Sequence, residues 1–196
     1  MGNTVTTTEL IHQIDVIVAR KDSLMEGLTT EQKSWRPQAG RWSILDCLEH
    51  LNRSDAMYLR AMRVVFERDR HNASLPPKAF RFGFIGRQIL RYIEPPPRFR
   101  MPAPRSVVPP EVLNATEVEA EFNRLHLEFR GFVLDAGGVD MSAIHFPSPM
   151  SSLLKLNLAE GCAIITGHDR RHLWQAEQVR AHRDFPRSGD ADPNLA

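Results

Sequence analysis

Four stretches of this chain space apolar residues three and four positions apart, the period of a helix with one buried face. A chain that repeats this pattern four times buries it most simply by packing the helices on one another. In the first stretch, Leu10, Ile14, Ile17, Val18, Leu24, Met25 and Leu28 predict a helix over residues 7–27, and Thr6 with Glu9 has capping-box spacing. In the second, Ser43 is a good N-cap, Asp46 favours the first turn, and Ile44, Cys47, Leu48, Leu51, Tyr58, Leu59, Met62, Val65 and Phe66 form a stripe over 44–69. The third starts at Thr116, carries Val118, Phe122, Leu125, Phe129, Phe132, Val133 and Ala136, and stops at Gly137-Gly138. The fourth opens on Asn157 with Glu160, and Ile164, Ile165, His168, His172, Ala176 and Val179 share one broad side up to about residue 182.

The segments between are less regular. Residues 29–42 read as a connector, with a brief helical turn at Thr30-Glu31-Gln32 and Trp35 packed on the helices. Within 70–114, Phe82, Ile85, Ile89 and Ile93 suggest a short amphipathic helix over 78–93. Prolines at 95, 96, 97, 102, 104, 109 and 110 then forbid a long helix. Residues 139–151 read as extended. The polar, Pro- and Gly-containing tail over 184–196 reads as disordered. The expected architecture is all-α: one four-helix-bundle domain over residues 1–183, with a long Pro-rich crossover between the second and third helices. Ile14, Leu51, Phe122, Phe129 and Ile165 are expected in its core.

Composition excludes several classes. A formal charge of +1 gives no case for nucleic-acid binding. No uninterrupted apolar run is long enough for a membrane span, and no signal peptide is visible, so a cytoplasmic protein is expected. Cys47 and Cys162 sit in apolar helical patterns and read as reduced core thiols, with Cys47 an alternative metal ligand one turn before His50. Seven basic residues lie between Lys78 and Arg105 against the single acid Glu94. They read either as a solvated crossover or as an attractor for an anionic ligand or membrane surface.

The chemistry concentrates on histidine. His168 and His172, four apart on a helix, stand one turn above each other and can reach one metal ion. His50 lies on the shoulder of the second helix's stripe, about 60° from its middle at ~100° per residue, and can also face inward. Three neutral imidazoles suit zinc or nickel and leave open positions, and zinc lowers the pKa of water towards ~7. The plain alternative is that these histidines are surface or hydrogen-bonded core residues. Glu49 and Asp169, each beside a candidate ligand, are weak candidates for a general base and better ones for support of the ligands. His126 is expected to be partly exposed and hydrogen-bonded.

Gly40-Arg41-Trp42-Ser43-Ile44 leading to Glu49-His50-Leu51 resembles the start of the second helix in the DinB-like superfamily, particularly its YfiT-like members. Leu156 to Glu160, followed by Gly167-His168-Asp169-Arg170-Arg171-His172-Leu173-Trp174-Gln175, resembles that family's last helix, and Phe99 to Pro104 its crossover. The resemblance implies a four-helix bundle holding a divalent metal, zinc or nickel, on His50, His168 and His172, often as a homodimer. It implies thiol-dependent S-transferase-like chemistry on a small molecule, using a low-molecular-weight thiol, with metal-dependent hydrolysis as the runner-up. A non-enzymatic, metal-stabilised interaction module is the remaining alternative.

Overall fold

Thr6 caps the first helix as its spacing with Glu9 predicts: its hydroxyl accepts from the Glu9 amide, and the Glu9 carboxylate accepts from the Thr6 amide. The computed structural model describes residues 3–96 and 102–186. In chain order it contains β1 (Thr4–Val5), α1 (Thr7–Met25), α2 (Thr30–Ser34), α3 (Ile44–Asp69), β2 (Phe80–Arg81), α4 (Phe84–Ile93), α5 (Ala115–Ala136), β3 (His145–Ser148), β4 (Ser151–Asn157) and α6 (Leu158–Arg180). The protein is mostly helical. Its four long helices, α1, α3, α5 and α6, are the four read from periodicity. Ser43 and Asn157 close capping boxes with Asp46 and Glu160, so α3 and α6 start where side-chain oxygens meet first-turn amides that would otherwise lack partners.

α3 packs on α5 and α6, and α1 lies against the same two helices. Ile14, Leu51, Phe122, Phe129 and Ile165 are all buried, as the stripes require. One end of the core gathers Phe80, Phe129, Phe132 and Phe146; the other gathers Leu45, Leu48, Phe122 and Leu173.

The connections depart from expectation in three places. The chain is not purely helical: β1 pairs with β2, and β3 pairs with β4 from His145↔Asn157 to Ser148↔Ser151. Strand pairing leaves no helical period to read, and the extended stretch placed at 139–151 continues as strand to Asn157. The helix expected over 78–93 begins only at Phe84, and its buried face is Gly86 and Leu90, while Ile85 is exposed. Phe185 packs edge-on against Trp35, and the Gln32 side-chain amide donates to the Pro186 carbonyl at 2.8 Å, so the chain stays attached to the core past residue 184. The rest of the expected tail, and Arg98 and Arg100 of the basic segment, lie outside the described residues. Among the described basic residues, Lys78, Arg81, Arg91 and Arg105 are exposed, which fits a solvated surface.

Gly86 shows how α4 is held. A Cβ there would sit 2.3 Å from Glu160 Oε1 and 2.7 Å from its Cγ. The Glu160 carboxylate cannot easily move, because it accepts from the Gly83 amide at 2.6 Å and the Asn157 amide at 2.8 Å. Gly86→Ala should therefore destabilise the fold by ~1–3 kcal/mol, the usual range for overpacking. Urea unfolding is the measurement; an unchanged midpoint would show that α4 shifts without resistance.

Candidate metal centre

The first turns of α3 and the middle of α6 bring three imidazoles together. Ring centroids of His50 and His172 are 4.5 Å apart, those of His168 and His172 4.6 Å, and those of His50 and His168 5.0 Å. One ring nitrogen from each lies within 4.8 Å of the others. The Nε2 atoms of His50 and His168 approach to 3.3 Å.

Their neighbours orient the rings. The single turn of 3-10 helix at Arg105–Val107 delivers the Val107 carbonyl to His50 Nδ1 at 2.8 Å. That carbonyl can only accept, so Nδ1 carries the proton and Nε2 keeps its lone pair towards the other histidines. Ser54 Oγ lies 3.4 Å from His168 Nδ1 and can fix that ring in the same sense. The buried His172 Nδ1 has no hydrogen-bond partner among the described residues. Trp42 covers the group, with its ring centroid 4.8 Å from His50 and 5.6 Å from His172.

All three imidazoles are held neutral. Burial, then His50 and Arg171, push His168 down to about 3. Burial, His168, His50 and Arg171 lower His172 well below the usual imidazole range, with Gln175 opposing. Burial lowers His50, partly offset by the Val107 carbonyl. Three converging neutral imidazoles are a donor set for a borderline divalent cation, so these residues fit the metal that the sequence suggests.

These shifts carry a sign. A histidine whose folded pKa lies below its unfolded value near 6.5 penalises the native state only where the unfolded chain takes up protons and the native chain does not. Stability of the metal-stripped protein should therefore be level above about pH 6.5 and fall as the pH drops below it. Thermal unfolding at pH 7.5 and 5.5 tests this, and His168→Ala should flatten the slope. An equal slope in that variant would mean other groups set the acid limit.

Trp42 also forms a wall of a cleft of about 680 Å³ lined by Arg41, Arg171, Trp174, Gln175 and His182. Trp42 thus stands between the three-histidine group and a space of small-molecule size.

The DinB superfamily model matches residues 13–176. The chain belongs to the DinB superfamily. Its sequence matches no curated protein. In structure it is similar to YfiT from Bacillus subtilis, described as a probable metal-dependent hydrolase with an unusual four-helix bundle topology, with a TM-score of 0.58 at 11% identity over 89% of this chain and 86% of that one. At that identity the likeness is one of fold.

In this DinB-superfamily chain the other expected site residues fall elsewhere. Glu49 accepts from Arg53 at 2.7 Å, one turn along α3, and makes no bond to a histidine of the group. Asp169, about 100° from His168 on α6, points into the core and meets His126 Nε2 at 3.2 Å. His126 is buried, contrary to the expectation of partial exposure, because its ring stacks on Phe122 at 3.9 Å. Cys47 and Cys162 are buried free thiols, both raised by burial, and Cys47 is not part of the three-histidine group. The Val107 carbonyl, Ser54 and the covering role of Trp42 were not foreseen. A backbone carbonyl leaves no mark in a sequence, although Trp42 beside the Ser43 cap was a usable hint.

Proposed function

We propose that this chain is a metal-dependent enzyme built as a DinB-type four-helix bundle, with the Pro-rich segment crossing between its second and third long helices. His50, His168 and His172 hold one divalent cation, zinc or nickel, and the cleft beside Trp42 presents a small molecule to it. The observation that carries this reading is the convergence of three imidazoles, all kept neutral, against the wall of that cleft. When bound, such a cation acts as a Lewis acid and makes a weak nucleophile available near neutral pH.

The protein's own residues do the positioning. The Val107 carbonyl and Ser54 orient two of the rings, Trp42 excludes water from one side, and Arg41 and Arg171 line the cleft where an anionic substrate group would lie. We favour hydrolysis, with water as the nucleophile. It needs no second substrate, and the description of the fold neighbour YfiT supports it. Transfer to a low-molecular-weight thiol is the second reading, favoured by the two arginines, which suit a thiol that carries carboxylates.

The zinc- or nickel-loaded protein should be assayed on ester and amide substrates, and on electrophiles with low-molecular-weight thiols. Hydrolysis that disappears in His168→Ala is the expected result. Thiol consumption lost in the same variant would move the assignment to transfer. Metal binding without turnover across the panel would leave a metal-stabilised interaction module.

A further inference from the structure

The core holds a second group of metal-ligating side chains that the three-histidine site does not use. Asp55 on α3, His126 on α5 and Asp169 on α6 each offer one atom within 4.8 Å of the others, and all three residues are buried. No hydrogen-bond donor among the described residues reaches either Asp55 oxygen or Asp169 Oδ1. The Phe122 carbonyl lies 2.9 Å from His126 Nδ1, so that nitrogen donates and a neutral ring leaves the Nε2 lone pair facing Asp169. Two carboxylates and one imidazole lone pair thus converge where no lysine or arginine of the described residues bonds to them. Burial, then the charge of Asp169 and a hydrogen bond that a protonated Asp55 shares with it, raises the Asp55 carboxyl well above its usual range.

We propose that Asp55, His126 and Asp169 form a second divalent-cation site, made for a first-row ion such as Mn²⁺ or Zn²⁺. Two oxygens and one nitrogen suit these ions, and two negative charges with a neutral imidazole balance a divalent cation. Ligands ~2.0–2.2 Å from one ion lie no more than ~4.4 Å apart, so the group needs to tighten by only a few tenths of an ångström. His126 also lines a cleft of about 410 Å³ between α1 and α5, whose walls include Asp15 and Asp22, paired with Arg130 and Lys21 respectively. The group is therefore one ring away from a route to solvent. A cation there would tie α3, α5 and α6 together, and its binding energy would add to the stability of the fold. The site shares no ligand with the three-histidine group, although Asp169 follows His168 on the same turn of α6.

The competing account is protons: a protonated Asp55 beside a His126 imidazolium and an ionised Asp169 carries the same total charge. Metal counting separates the two. The metal-stripped full chain, its His168→Ala/His172→Ala variant, Asp55→Asn and Asp169→Asn should be dialysed to equilibrium against Mn²⁺ and, separately, Zn²⁺, with circular dichroism to verify folding. The proposal expects two equivalents on the wild type for at least one ion and one on the double-histidine variant. It expects at least tenfold weaker binding of the second equivalent in Asp55→Asn and Asp169→Asn. No metal on the wild type, or one equivalent that the double-histidine variant loses, with both ions, overturns it, whether or not the asparagine variants fold. So does a second equivalent that persists undiminished in both of those variants. Failure of the three-histidine reading would look different: the double-histidine variant would then lose no metal relative to the wild type.

Discussion

His168→Ala should leave the protein folded and without the cation proposed for the three-histidine group. His168 is half-buried, and its polar contacts are one long one to Ser54 and one to His50, so few bonds of the fold depend on it. Its contribution to a bound cation is much larger, since a three-ligand site cut to two loses both affinity and geometry. Loss of a mere outer partner of a ligand costs ~10–100-fold in metal affinity or activity, and loss of the ligand itself should exceed that. Zinc or nickel content after dialysis should fall from one equivalent at this site to a small fraction, with any metal-dependent turnover falling in step. His172→Ala should do the same, while Glu49→Gln should change neither, because Glu49 is engaged with Arg53 on the surface of α3. If His168→Ala retains its metal and activity, the ligand set proposed here is wrong. A matching loss in Glu49→Gln would give that carboxylate a role that its ion pair does not suggest.

The second large effect is on stability. Phe122 is fully buried in α5, its ring stacked on His126 with the Lys21 ammonium 5.7 Å from its centroid. Phe122→Ala removes the apolar surface that joins Leu45, Leu48 and Leu173 across three helices and leaves a cavity. A buried Phe→Ala change costs ~3–5 kcal/mol. At about 2–4 °C per kcal/mol for a chain of this size, the melting temperature should drop by roughly 6–20 °C. Scanning calorimetry at neutral pH tests this; a shift under about 2 °C would mean that the core closes over the gap at little cost. Phe122 also sets the plane of the His126 ring, so the same variant should weaken any cation held by Asp55, His126 and Asp169 more than one held by His50, His168 and His172.

The four long helices were legible because their signals are local. A cap such as Ser43 with Asp46, or Asn157 with Glu160, lies within one turn, and an apolar stripe repeats every few residues whatever surrounds it. The i,i+4 spacing of His168 and His172 is equally local, and the placement of His50 needed only its angle to the stripe of α3. The residues misread depend on partners far along the chain. His126 reads as partly exposed, but Asp169 of another helix meets it in the core. Asp169, next to His168 in the chain, is aimed by the helix turn at His126 on another helix. Ile85 looked inward until Glu160 selected Gly86 for the contact. The Val107 carbonyl reaches His50 across 57 residues, through a segment whose prolines say only that it is not a helix. Periodicity specifies which face of a helix is apolar; only the packed structure decides which side chains from other helices occupy it, because that depends on distances no local pattern encodes.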